Sequence, residues 1–108
     1  MTKDSSYHDY IVYDILGDVP NITSKAMFGG WGLYKDGKIF GIIADGELYF
    51  KVGESNRKNF EELGSHSFVY AKKDGKEYSM SYWLVPEEVL EDKEKLFEFV
   101  ERSAELSK

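Results

Sequence analysis

The chain contains no cysteine, which excludes disulfides, thiolate metal sites and thiol redox chemistry and fits a reducing compartment. Proline is scarce, at two residues in 108. No apolar run approaches the roughly 20 residues that span a bilayer, and the opening MTKDSSYHDY lacks the apolar stretch of a secretory leader. A cytoplasmic protein with no membrane contact is expected. Positive charge is also in short supply, with 14 Lys and Arg against 20 Asp and Glu, a net charge of −6 and a pI near 4.9. A field of that sign repels phosphate backbones, so direct nucleic-acid binding is disfavoured, although Lys72, Lys73 and Lys76 form a local basic patch.

Motifs for chemistry are missing as well. His8 and His66 stand far apart with no HxxxH or HExxH spacing, and both are expected to be ordinary surface or loop residues. FGGWG lacks the Lys-Ser/Thr ending of a phosphate loop. Ser24-Lys25 and the serines of SMSYW fall in neither GxSxG nor SxxK, so strand serines on a solvent face are expected. The acidic runs EELG and PEEVLEDKEK read as solvated helix faces. The sequence therefore predicts no enzyme, no metal and no cofactor.

What is present is a core. Hydrophobic residues make up 42% of the chain and aromatic residues 16%, enough for one folded domain over 1–108. Tyr7, Ile11 and Ile15, with Val12 and Leu16 beside them, form a helical stripe that GDVPN stops. From Ile22 the period becomes two, punctuated by Gly-Gly and Asp-Gly pairs that suit tight hairpins. ESNRKNFEELG reads as a short helix, with Ser55 or Asn56 as N-cap and Gly64 just past its end. A hairpin around Asp74-Gly75 follows. The last segment is a helix starting near Pro86, with Val89, Leu96, Phe97, Val100 and Ala104 as its buried stripe. The pattern predicts an α+β fold, an antiparallel meander of about six strands with three helices in the order α-β4-α-β2-α.

Taking Asp36-Gly37 and Asp45-Gly46 as two-residue turns sets a register in which Tyr34 meets Ile39, Gly32 meets Gly41, and Ile43 meets Leu48. One face then carries Gly32, Tyr34, Ile39, Gly41, Ile43, Leu48, Phe50 and Val52. This face is expected to pack on the helices, with the two glycines forming a hollow. The other carries Trp31, Leu33, Phe40, Ile42 and Tyr49 with Lys35 and Lys51.

The stretches SKAMFGGWGLYKDGKIFGIIADGELYFKV, FVYAKKDGK and MSYWLVPEEVLED together resemble the TfoX N-terminal domain family, over nearly the whole chain. The most specific pieces are Met27 to Gly30, Leu33-Tyr34, Asp36-Gly37, Leu48-Tyr49, Lys51, Tyr82-Trp83 and Pro86 to Asp92. The resemblance implies an α+β fold similar to the type III secretion chaperone class. It also implies kinship with TfoX/Sxy regulators of natural competence, thought to help the cyclic-AMP receptor protein at a special class of promoters. Those regulators carry a second, helical domain, so a single-domain member is expected here. The resemblance brings no catalytic residues with it.

The expected function is a binding module, a transcriptional accessory protein acting through protein contacts. Its partner is expected to be a transcription factor, an RNA polymerase component or a second copy. The candidate interface is Phe28, Trp31, Leu33, Phe40 and Tyr49, with Lys35 and Lys51 at the rim. The alternative is an enzyme or small-ligand receptor with a pocket between sheet and helices walled by Tyr34, Tyr78, Met80 and Tyr82.

Overall fold

A computed structural model describes residues 5–27, 30–71 and 77–107. Helix α1 is an α-helical turn, Ser5–Asp9, that widens into a π-helix over Tyr10–Ile15. Four strands follow: β1 (Ile22–Met27), β2 (Gly30–Lys35), β3 (Lys38–Ala44) and β4 (Glu47–Lys51). Then come α2 (Arg57–Glu62), β5 (Ser67–Ala71), β6 (Glu77–Leu84), α3 (Glu87–Leu90) and α4 (Lys93–Glu105). The strands form one six-stranded sheet in the order β1-β2-β3-β4-β6-β5, antiparallel at every pairing. The fold is α+β, as the pattern predicts.

Both described Asp-Gly pairs turn as expected: Asp36, Gly37, Asp45 and Gly46 all have φ between +52° and +79°, the left-handed geometry of type I′ hairpins. Asp74-Gly75 lies outside the described residues. Ile43 faces Leu48 and Tyr34 faces Ile39 as predicted. Gly32, however, pairs with Ile42, and Gly41 pairs with Leu33. The cause is a β-bulge: Phe40 is an additional residue on β3 between the Leu33 and Tyr34 pairings, and one inserted residue exchanges the faces of everything beyond it.

The bulge inverts β2 against expectation. Trp31, Leu33 and Lys35 share a face with Gly41, Ile43, Leu48 and Phe50, and Phe40 itself turns inward. Its ring packs edge-on against Phe50 at 5.5 Å. Gly32 and Tyr34 go to the opposite face. The two glycines therefore do not form one hollow. A Cβ on Gly41 would lie 2.6 Å from the Tyr49 carbonyl oxygen, and one on Gly32 would meet the Met27 side chain.

All the helices contribute to one core on the Leu33 face. Ile11 and Leu16 of α1, Phe60 of α2, Val89 of α3, and Leu96, Phe99, Val100 and Ala104 around α4 are buried together with Leu33, Phe40, Ile43, Leu48 and Phe50. Each of these side chains larger than alanine contributes about 1.5–3 kcal/mol on removal from water. In α1 the π-helical turn is closed by the Leu16 N–H donating to the Ile11 carbonyl at 2.8 Å, five residues back instead of four. That wider turn brings Leu16 fully inside and leaves Ile15 only partly buried.

The terminal helix is two helices. Asp92 accepts a hydrogen bond from the Lys95 N–H at 3.1 Å and starts α4 afresh, so the phase is not carried over from α3. Phe99 takes the core position predicted for Phe97, which is 44% exposed. Among the described residues no helix is long and apolar enough to cross a membrane.

Candidate functional site

Strand alternation determines what the helix-free face of the sheet displays. Leu33, Phe50 and Trp83 point to the core side, so their neighbours Tyr34, Tyr49 and Tyr82 point away from it. Met27 fills the space over Gly32 beside the Tyr34 ring. Tyr49 packs edge-on against Phe68, with ring centres 4.9 Å apart. Tyr82 pairs with Lys51 on β4, and its hydroxyl is pushed above the ordinary tyrosine range, by burial first and then by the nearby Tyr34. Tyr49 is raised likewise, by burial and then by the carboxylates of Glu47 and Asp45. The result is an aromatic layer in which Tyr34, Phe68 and Tyr82 are half-buried and Tyr49 is buried, with the Tyr49 hydroxyl donating to Glu47 at 3.5 Å.

Of the expected interface, Tyr49 belongs to this face. Lys51 is tethered, its Nζ donating to Ser107 Oγ at 2.7 Å, and the Ser107 hydroxyl donates to the Ile39 carbonyl at 2.7 Å. Trp31, Leu33, Lys35 and Phe40 lie on the helix side instead, with Leu33 and Phe40 wholly buried because the bulge turned them there. Lys35 is held by Glu101 at 3.1 Å and Asp36 at 3.2 Å. The hydrogen bond it donates to Glu101 keeps its ammonium above the usual lysine range, against the opposing pull of burial. Phe28 lies outside the described residues.

Of the four expected pocket residues, the two whose side chains are described, Tyr34 and Tyr82, do not line a cleft under the helices. Tyr34 and Tyr82 lie near each other on the opposite face, and the side chains of Tyr78 and Met80 lie outside the described part, as do Lys72, Lys73 and Lys76. A groove of about 260 Å3 lies elsewhere, between the end of α1 and the start of α4. Ile15, Val19, Leu96 and Phe97 give it apolar walls, and Asp18 and Lys93, paired at 2.8 Å, stand at its margin. It gathers no acid, base and nucleophile together.

One polar cluster does. His8, expected on the surface, is only 6% exposed. Its ring stacks on Trp31 with centres 4.0 Å apart and meets Tyr13 edge-on at 6.2 Å. Nδ1 lies 2.9 Å from Asp9 Oδ1, and Nε2 lies 2.7 Å from Ser24 Oγ on β1. The spacing His8, Val12, Leu16 was the available signal, since it runs parallel to the Tyr7 stripe and puts His8 next to the buried face. Among the described residues no group of three or more His, Asp or Glu could hold a metal ion.

Comparison with known proteins places this architecture. The family model described as TfoX N-terminal domain matches residues 14–107. The "DNA transformation protein TfoX1" of Aliivibrio fischeri is 33% identical over 61 residues, covering 56% of this chain and 29% of that longer protein. The "Uncharacterized 12.7 kDa protein in trpE 5'region" of Spirochaeta aurantia is 32% identical over 94 residues, covering 85% of this chain and 72% of the relative.

Proposed function

The chain belongs to the TfoX N-terminal domain family, and from that premise we propose that it is a competence-type regulatory module that acts by contact with a component of the transcription machinery. The DNA transformation protein of A. fischeri supports the regulatory reading by its name, and the matched part is 29% of its length. The observation that carries the contact reading is the aromatic layer of Tyr34, Tyr49, Phe68 and Tyr82 on the face opposite the helices. Aromatic side chains with polar tips make low-entropy anchors at protein interfaces. A net charge of −6 favours a protein partner over a bare phosphate backbone. Such a role requires binding and release and no turnover.

The test is affinity capture from nuclease-treated native lysate with wild type and with the Tyr34→Glu and Tyr82→Glu variants, each first shown to be folded by circular dichroism. Recovery of a transcription factor or RNA polymerase subunit by wild type, lost with both variants, is the expected result. Recovery that both variants leave unchanged would remove this face from the reading. A dimer in light scattering that both variants convert to a monomer would instead assign the face to a second copy of the chain.

A further inference from the structure

Asp9, His8 and Ser24 form a continuous hydrogen-bonded chain, and its proton positions follow from the groups themselves. A carboxylate only accepts, so the hydrogen on Nδ1 must be donated to Asp9 Oδ1 across 2.9 Å. In the neutral ring Nε2 is then the acceptor, and the Ser24 hydroxyl donates to it across 2.7 Å. The serine proton thus already points at a base whose tautomer is fixed from behind. Nucleophile, base and orienting carboxylate meet the hydrogen-bond distances that the activated-serine arrangement requires.

The surroundings suit the charge that would develop. His8 is 6% exposed and stacked against the face of Trp31, so the imidazolium formed on proton uptake would lie between a carboxylate and an aromatic ring. Ser24 itself is reachable: it is partly exposed and stands on β1, an edge strand. Its backbone is oriented as well. Asp36 N–H donates to the Asn21 carbonyl at 3.1 Å, and this pair continues the β1–β2 register by one step. Bonded and non-bonded pairs alternate along an antiparallel ladder. Thr23 and Lys25 are therefore the residues that bond to β2, and the Ser24 N–H points outward from the sheet edge. A nucleophile whose own N–H faces the incoming carbonyl oxygen supplies one donor for the oxyanion.

We propose that Ser24 is an acyl-acceptor site, which takes a small acyl group from an activated ester or thioester with His8 as its general base. Ser24 Oγ bonds to the acyl carbon while its proton moves to His8 Nε2. The bond to the leaving oxygen or sulfur then breaks, and that atom carries the proton away. Acylation removes the hydroxyl hydrogen that joins β1 to α1, so the modified chain loses the clasp between them. The inference does not depend on the partner proposed for the aromatic face.

The probe is p-nitrophenyl acetate, read by nitrophenolate release, intact mass and peptide mapping. One acetyl group per chain on Ser24 is expected, absent in Ser24→Ala. His8→Gln should slow it by about 100-fold or more. Asp9→Asn alters a half-exposed side chain and offers an amide donor to Nδ1, which reverses the tautomer, so it too should slow the reaction while leaving the fold intact. The wild-type rate should follow a single ionisation with pH that His8→Gln abolishes. Acetylation confined to lysines, or Ser24 acetylation at equal rates in wild type and both variants, would overturn the proposal.

Discussion

Asn56 ties three parts of the chain together with one side chain. It is 2% exposed. Its Oδ1 accepts from the Gly53 N–H at 2.8 Å, and its Nδ2 donates to the Lys51 carbonyl at 3.1 Å and to Ser103 Oγ at 3.3 Å. Ser103 in turn donates to the same Lys51 carbonyl at 2.8 Å. The residue was expected only as an N-cap; its side chain makes no cap hydrogen bond to α2 and instead fastens the end of β4 to α4. Asn56→Ala strands buried groups, each costing about 1–3 kcal/mol, whereas exposed Glu54→Ala should change little. Urea unfolding that showed the two variants equally stable would contradict this account. The sequence could mark Asn56 as a turn residue, because Asn is common before helices. It could not show the Ser103 contact, which joins residues 47 positions apart.

Among the elements, β3 decides how the sheet is dressed. Lys38-Ile39-Phe40-Gly41-Ile42-Ile43 is apolar on both parities, so alternation gave no reason to place an additional residue at Phe40 and the register was drawn straight. The hairpins themselves were legible because Asp-Gly has a specific backbone demand. The π-helical turn of α1 was hidden for the same reason as the bulge: Ile11, Val12, Ile15 and Leu16 satisfy several periods at once. Tyr49 was placed on the correct face because β4 is regular, while Trp31, Leu33, Lys35 and Phe40 were misplaced by a single residue. The bulge also gives the two strand glycines different tolerance. Gly41→Ala presses a Cβ against backbone at 2.6 Å and against the Phe50 ring at 3.0 Å, while Gly32→Ala meets the flexible end of Met27. Gly41→Ala should cost about 1–3 kcal/mol and Gly32→Ala clearly less, measured as urea midpoints. Equal losses would mean that the bulge is not the tight point of the sheet.

For the molecule as a whole, several groups hold protons more firmly when folded. Lys35 is raised by Glu101, and Tyr7, Tyr49 and Tyr82 are raised chiefly by burial. Their folded values lie above the unfolded ones, so the native state binds more protons than the unfolded chain at alkaline pH. Their contribution is complete below about pH 10 and is lost as pH rises through the folded values. The urea midpoint should stay level up to about pH 9, fall above about pH 10, and fall less steeply in Tyr82→Phe. A level midpoint through about pH 11 would show that these groups titrate alike in both states. The strand order has a further consequence in time. β1 to β4 pair with their neighbours in sequence, but about thirty residues separate Lys51 from its β6 partner Tyr82, and closing that loop costs chain entropy before it is repaid. A nascent chain leaving the ribosome can therefore complete the meander while the flank of β4 is still bare. During that interval the flank can template a strand from a neighbouring chain, so the hazard of domain exchange is concentrated in the last third of synthesis.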